Sequence, residues 1–275
     1  MQHKFFSIIV VSLNPGEGLK KTLESIKQQT NQSYEIVLKD GMSTDGVLEE
    51  LKESGYFRSF PCVRIFEEKD KGIYDAMNQA VKEAEGKYYL FLNCGDVFYD
   101  KDVLQNMQEA IEQQVPDESV PVICYGDQYN LIQQCKISSN PNLDDFGLFR
   151  NVPCHQVCFY DYRLFEKRGY NQDYTVRGDY EHFLYCVYEE HAKTLHIPCV
   201  VCVYEGGGYS ETPQNKKRSK EQHKEITDFY MGKKAAKYRM VMRLSLAGLR
   251  TKMAESKILS IPYNAVKSIV YKIKG

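Results

Sequence analysis

The sequence predicts an α/β protein built on a mostly parallel sheet with helices on both faces, and three observations carry that prediction. Short apolar runs alternate with stretches of helical period through the first hundred residues. Each run closes on a turn residue, and the connections are too short for anything but strand–helix–strand crossovers. Of the 275 residues 43% are apolar, which is enough to bury a sizeable core.

The elements follow in order. Residues 5–13 form a continuous apolar, β-branched run ending at Asn14-Pro15-Gly16, which reads as a strand buried on both faces followed by a turn. Leu19, Leu23 and Ile26 then recur at helical spacing through residue 29, and residues 35–38 give a second strand closing on Asp40-Gly41. The alternation continues with a helix at about 44–54, a strand at about 63–67, a helix at about 73–85 and a strand over 88–92. Beyond residue 97 the pattern loosens. Helices are expected near 101–114 and 179–191 and strands near 121–126 and 194–204, with a Pro/Asn-rich connection at 138–145 and a break at Gly206-Gly207-Gly208.

The net charge of −1 is a cancellation. Residues 1–213 carry 20 basic against 33 acidic side chains, and residues 214–275 carry 16 against 4. An acidic body argues against a nucleic-acid partner, and a basic tail suits an anionic surface. The tail reads as helical: Ala265, Val266, Ile269, Val270 and Ile273 share one face with Lys267 and Lys274 off it, and Pro262 separates this stretch from an earlier one containing Met242, Leu246, Leu249 and Met253. Such a helix is expected to lie in a membrane interface, although a solvated face or a subunit contact, including a homo-oligomer, fits the same pattern. The organisation expected is a catalytic unit over 1–213, halved at about residue 97, and a basic amphipathic tail over 214–275. The apolar stretch at the N-terminus is too short for a signal peptide or a membrane span. Nine cysteines, most in apolar segments, argue against a disulfide framework, and strand alternation would turn the sulfurs of Cys199 and Cys202 to opposite faces. A cytoplasmic protein at the inner face of the membrane is expected.

Ligands of such sheets gather at the carboxyl ends of the strands. Acidic clusters stand there: Asp40 in KDGMSTDG, Asp70 and Asp75 in DKGIYDAMNQA, and Asp96 in FLNCGD. Any one of them alone is explained by a turn or a helix cap; together at consecutive strand ends they point to a site. Neither GxGxxG after the first strand nor GxxxxGK[ST] is present, which disfavours dinucleotide binding and P-loop hydrolysis. A diphosphate held without such a loop calls for a divalent cation, Mn²⁺ or Mg²⁺, on carboxylate oxygens, with Asp96 as the best-placed ligand.

SIIVVSLN, KDGMSTDG and DKGIYDAMNQAVKEAEGKYYLFLNCGD resemble, in order and spacing, the nucleotide-sugar half of the family 2 glycosyltransferases with the A-type fold, and most closely the bacterial enzymes of surface-polysaccharide synthesis. The resemblance implies an inverting transfer from a nucleotide diphosphate sugar, with UDP favoured, to a hydroxyl of a saccharide or lipid-linked acceptor. It implies that Asp40 meets the pyrimidine base and that Ser12, Leu13 and Asn14 form the strand end at the nucleotide. Lys71, Gly72, Asp75 and Asn78 would face the diphosphate and sugar beside Asn93 and Gly95, and Asp96 would be the last carboxylate of the metal motif. Where many relatives carry Asp-x-Asp-Asp, this chain has Asn93-Cys94-Gly95-Asp96, so metal affinity should rest on Asp96 and the donor's own phosphates.

The transfer also needs a base to draw the proton from the acceptor hydroxyl. Asp179 in YTVRGDYEHFLY resembles the family's base at the start of the acceptor-side helix, an N-cap being the bland alternative, and Glu181 stands in reserve. His155-Gln156, leading into an apolar strand, resembles an acceptor-side motif. A catalytically silent nucleotide-sugar binding protein is the competing expectation, prompted by the thinned metal motif. A nucleotidyltransferase is disfavoured because Asn14-Pro15-Gly16-Glu17 lacks basic residues.

Overall fold

A computed structural model describes residues 4–115, 119–205, 212–244 and 260–274. The strands are β1 (Phe6–Ser12), β2 (Tyr34–Asp40), β3 (Val63–Glu67), β4 (Tyr88–Phe91), β5 (Val97–Phe98), β6 (Val122–Asn130), β7 (Cys135–Ile137), β8 (Cys158–Asp161) and β9 (Lys193–Tyr204). The helices are α1 (Glu17–Lys27), α2 (Val47–Glu53), α3 (Ile73–Val81), α4 (Val103–Gln114), α5 (Asp145–Arg150), α6 (Gly178–Tyr188), α7 (Pro213–Met231), α8 (Lys233–Leu244) and α9 (Ser260–Lys274).

The sheet runs β3-β2-β1-β4-β8-β6-β9-β5, with β7 hairpinned onto β6. Its first four strands are parallel, as their continuous apolar runs predict. The second half is mixed: β8 runs antiparallel to β4 and β6, and β5 antiparallel to β9, while β6 and β9 are parallel. The parallel expectation therefore holds for the nucleotide half, where βαβ crossovers dictate it, and gives way in the second half, where strands distant in sequence pair antiparallel. Leu19, Leu23 and Ile26 of α1, which packs on β5, and Met77 and Ala80 of α3, which packs on β1 and β2, are buried.

Register fixes the strand ends that matter. Ser12 at the end of β1 lies beside Asp40 at the end of β2. Beyond β4 the chain turns sharply at Gly95, whose φ of +100° suits glycine. That turn is clamped from α1 by one hydroxyl: Thr22 Oγ1 donates to the Asp96 carbonyl at 2.8 Å and accepts from Gly95 N–H at 2.9 Å. A Cβ on Gly18 would stand 3.2 Å from Gly95 N, so α1 and the turn touch through backbone.

The expected boundary at residue 213 does not set the tail apart along its whole length. Helix α7 is seated on the second half, where Gln222 Oε1 accepts from the N–H groups of Val176 and Arg177, and Ile226 is buried. Helix α9 lies against β7 by its polar side: Ser268 Oγ meets Ser138 Oγ at 2.7 Å, and Asn264 Nδ2 donates to Cys135 Sγ at 3.5 Å. Its apolar side, with Ile261, Val266, Ile269 and Val270, faces outward and is 40–61% exposed. Leu246, Leu249 and Met253, and the break at Gly206–Gly208, lie outside the described residues, and so does the side chain of Ile273.

Candidate active site

A cavity of about 300 Å³ opens where the end of β4, the start of β8, the end of β9 and the first turn of α6 converge. Asn93, Asp96, His155, Gln156 and Asp179 all line it, so residues far apart in sequence are brought together as expected. Ile73, Tyr74, Cys94, Gln128, Cys154, Thr175, Val176, Tyr204 and Glu205 complete the wall.

Two carboxylates define its chemistry. Asp96 is 6% exposed, and its Oδ2 accepts from Gln156 Nε2 at 2.9 Å. Burial raises its pKa above the usual carboxylate value, against the opposing bonds from Gln156 and the Glu205 N–H. Among the described residues no lysine, arginine or histidine comes within ion-pair distance of it, so a cation would relieve its desolvation. No group of three or more His, Cys, Asp or Glu side chains stands close enough to hold a metal among those residues. The donor set thus fits a divalent ion held by one carboxylate and completed by ligand oxygens, and does not fit a preformed cage.

Asp179 is loaded with donors. Its Oδ1 accepts from Tyr180 N–H at 2.8 Å and from Tyr74 O–H at 3.1 Å, while Oδ2 has the longer 3.3 Å contact with His155 Nδ1. Burial pushes this carboxyl upward. The hydrogen bond from His155, the attraction of that ring and of the Arg177 guanidinium, and the Tyr180 N–H outweigh burial and hold it below the usual range. His155 Nε2 lies 3.0 Å from Asn93 Nδ2; because the amide donates there, Nδ1 carries the proton shared with Asp179. His155 and Gln156, neighbours in one 3-10 turn, therefore reach the two carboxylates separately.

The other expected residues lie outside this cavity. Asp40 is buried, and Ser12 Oγ, Ser43 N and Ser43 Oγ donate to it at 2.6, 2.6 and 2.7 Å. Desolvation opposes these donors and Lys39, but together they lower its pKa. Behind it Lys39, fully buried, is paired with Asp70. Leu13 stands exposed at the rim, as does Met42 at φ +66°, and Asn14 Oδ1 accepts from Thr44 N at 2.8 Å. Asp75 closes its own helix start, accepting from Lys71 N–H at 2.9 Å and from Gln172 Nε2 at 3.0 Å, and Gly72 precedes it at φ +135°.

Two expectations are corrected by geometry. Asn78 spends both polar ends on the Tyr170 backbone, at 2.8 and 2.7 Å, and so fastens the 169–170 turn instead of facing the cavity. Glu181, the reserve and acceptor-side candidate, does point elsewhere on α6 as its place two residues past Asp179 predicts, and there it is buried, paired with Arg168 at 2.7 Å and bonded by Tyr230 O–H at 2.5 Å, so it does not line the cavity. Tyr74 escaped sequence reasoning. Its signal was Gly178: a Cβ there would fall 2.7 Å from the Tyr74 ring, so the residue before Asp179 is glycine because the ring must reach the carboxylate.

The sequence model of Glycosyl transferase family 2 matches residues 7–175. The chain belongs to that family. It is 35% identical over 216 residues to the "PGL/p-HBAD biosynthesis glycosyltransferase" of Mycobacterium bovis, covering 77% of this chain and 81% of the relative. A more distant relative from Methanococcus voltae, the dolichyl N-acetyl-alpha-D-glucosaminyl phosphate 3-beta-D-2,3-diacetamido-2,3-dideoxy-beta-D-glucuronosyltransferase, is 28% identical over 180 residues, 64% of this chain and 53% of the relative. Among solved structures, S. aureus TarS 1-349 in complex with UDP superposes with a TM-score of 0.64 at 16% identity, covering 84% of this chain and 68% of that one. Mannosyltransferase PcManGT from Pyrobaculum calidifontis, in complex with GDP-Man and Mn²⁺, gives 0.61 at 16% identity, with 99% and 86% covered. The fold of this glycosyltransferase is the A type.

Proposed function

We propose that this glycosyltransferase moves a sugar, with inversion, from a nucleoside diphosphate donor, UDP favoured, to a hydroxyl of a saccharide carried on a lipid. Solved structures of the fold hold UDP or GDP-Man, and the Methanococcus relative is named for a dolichyl phosphate acceptor. The observation that carries the reading is the pair Asp96 and Asp179 on one cavity, one carboxyl raised and the other lowered. Environments that drive two carboxylates apart assign them different work.

Asp179 Oδ2, with a single long contact among the described residues, is the oxygen left to take the acceptor proton. As the acceptor oxygen bonds to the anomeric carbon, the bond to the diphosphate breaks on the opposite face. The nucleoside diphosphate leaves with the electron pair, and the anomeric centre inverts. Asp96 would hold Mn²⁺ or Mg²⁺, which when bound supplies positive charge against the diphosphate. Thr175 Oγ1, buried in the cavity wall without a partner among the described residues, is available to a ligand hydroxyl. Ser12, Leu13, Asn14 and Asp40 form the nucleoside end, Asp40 by shaping the turn through Ser43.

Docking at the inner face of the membrane belongs to the same reading. No helix among the described residues is long and apolar enough to cross a membrane. The outward apolar side of α9, in a segment with 16 basic and 4 acidic side chains, suits an anionic interface.

Asp179→Asn tests the chemistry. Nucleotide-sugar binding should survive and transfer should fall by three orders of magnitude or more; unchanged transfer would remove Asp179 as base. A wild-type protein that binds donor and never transfers would favour the silent binding protein instead, the reading that Asn93 in place of a second carboxylate supports.

A further inference from the structure

A second cavity, of about 190 Å³, adjoins the first and shares Gln128 and Cys154 with it. Its walls come from three places: the residues after β7, the end of α5, and α9. Each brings a polar group. Ser138 and Ser139 follow β7, Arg150 closes α5, and Lys267 and Tyr271 descend from α9.

The chemistry of this cavity is that of an anion site. Lys267 Nζ donates to the Ser138 carbonyl at 2.8 Å and lies 5.2 Å from the centre of the Tyr271 ring, and Arg150 lines the same cavity. Among the described residues no carboxylate comes within ion-pair distance of Lys267 or Arg150. The nearby acid, Asp127, is already matched by Lys136 at 2.7 Å and His196 at 3.0 Å. Burial, and then the charge of Arg150, lower the pKa of Lys267, so the cavity holds positive charge at a cost that a bound anion would repay.

Position adds the rest. Lys267 belongs to the helix that also exposes Val266, Ile269 and Val270. An anion bound here would sit between that apolar surface and the catalytic cavity. We propose that this cavity binds the phosphate of a lipid-linked acceptor, with Lys267 and Arg150 as its cations, the lipid running out along the apolar side of α9 and the saccharide reaching past Gln128 and Cys154 toward Asp179. The inference rests on the lipid-carried acceptor of the proposed function. It adds to that reading a phosphate subsite separate from the diphosphate of the donor. A planar guanidinium and an ammonium around one pocket are the usual means of holding phosphate.

The experiment uses the full chain saturated with UDP and measures farnesyl diphosphate, inorganic pyrophosphate and farnesol by calorimetry. Farnesyl diphosphate should bind without displacing UDP and at least tenfold more tightly than either of the others. Lys267→Gln and, separately, Arg150→Gln should each weaken it at least tenfold while leaving UDP affinity unchanged. Arg150 lies on α5, so its variant keeps the test independent of how α9 seats. Displacement by UDP, or affinity untouched by both substitutions, would overturn the proposal. Pyrophosphate binding equal to farnesyl diphosphate would refute the lipid, and farnesol binding equal to it would refute the anion. A protein that binds neither UDP nor any nucleotide sugar would instead sink the donor assignment.

Discussion

Replacing Tyr74 by Phe removes one oxygen from the site and should move the pH dependence of transfer. The hydroxyl lies 3.1 Å from Asp179 Oδ1 and 3.3 Å from the Val176 carbonyl. It has one proton, and the charged, nearer acceptor takes most of it. A hydrogen bond to a charged group contributes about 1.5–3 kcal/mol. Sharing with Val176 argues for the lower end, and about 1.4 kcal/mol corresponds to one pKa unit. Asp179 starts below the ordinary carboxylate range, so the loss moves it up by about one unit. The sign follows: a base with a depressed pKa works above that pKa and fails as pH falls through it, so the acidic limb of kcat/KM should shift about one unit toward neutrality. The plateau should change by no more than about threefold, because a slightly stronger base offsets slightly looser positioning. The Phe ring keeps the packing against Tyr170 at 5.3 Å, which protects the fold. Initial rates from pH 2.5 to 8, with each variant checked by nucleotide binding, measure the limb directly. An unmoved limb would refute the hydrogen-bond argument, and a plateau collapse without a shift would show that the hydroxyl acts in some other way.

Metal should bind appreciably only with nucleotide: calorimetry with Mn²⁺ alone should give no micromolar affinity, with UDP it should, and tight binding of the free ion would contradict the single-carboxylate site at Asp96. His182, buried among Tyr160, Phe165 and Tyr170, is pushed down to about 3 by burial first and by Arg168 next. Below about pH 6.5 the unfolded chain takes up a proton that the folded chain refuses, so stability should fall by about 1.4 kcal/mol per pH unit down to about pH 3. Urea unfolding of wild type and His182→Phe at pH 7, 5 and 4 should show that difference, and a gap independent of pH would refute it. Gly86→Ala would set a Cβ 2.5 Å from Ser7 N and 2.6 Å from the Phe6 carbonyl carbon, both backbone, and should cost about 3 kcal/mol or more. A melting temperature within 2 °C of wild type would show that the strand end yields.

The nucleotide half was legible because its strands are buried on both faces, so unbroken apolar runs such as Ser7–Val11 and Tyr88–Leu92 announce them. β5 has two residues and β7 three, too few for any period to show, and α5 is a short helix of six residues following the Pro/Asn-rich connection. Within the site, Asp96 follows a strand, Asp179 opens a helix and His155 and Gln156 lead into a strand, places where position is readable, and all four line one cavity. Asn78 and Glu181 are different. What they touch is decided by the Tyr170 backbone and by Arg168, partners set by the fold and not by spacing along the chain. Tyr74 was hidden for the opposite reason, since an aromatic at helical spacing ordinarily reads as core.

The single step from His155 to Gln156 has a thermodynamic consequence. His155 hangs on Asp179, the proposed base, and Gln156 on Asp96, the proposed metal ligand, within a turn of three residues. Where a ligand that draws on Asp96 shifts Gln156 and moves His155 with it, Asp179 responds, and linkage makes the effect mutual. The factor by which donor changes acceptor affinity must equal the factor by which acceptor changes donor affinity, and this turn is the shortest covalent route by which that common factor can be set.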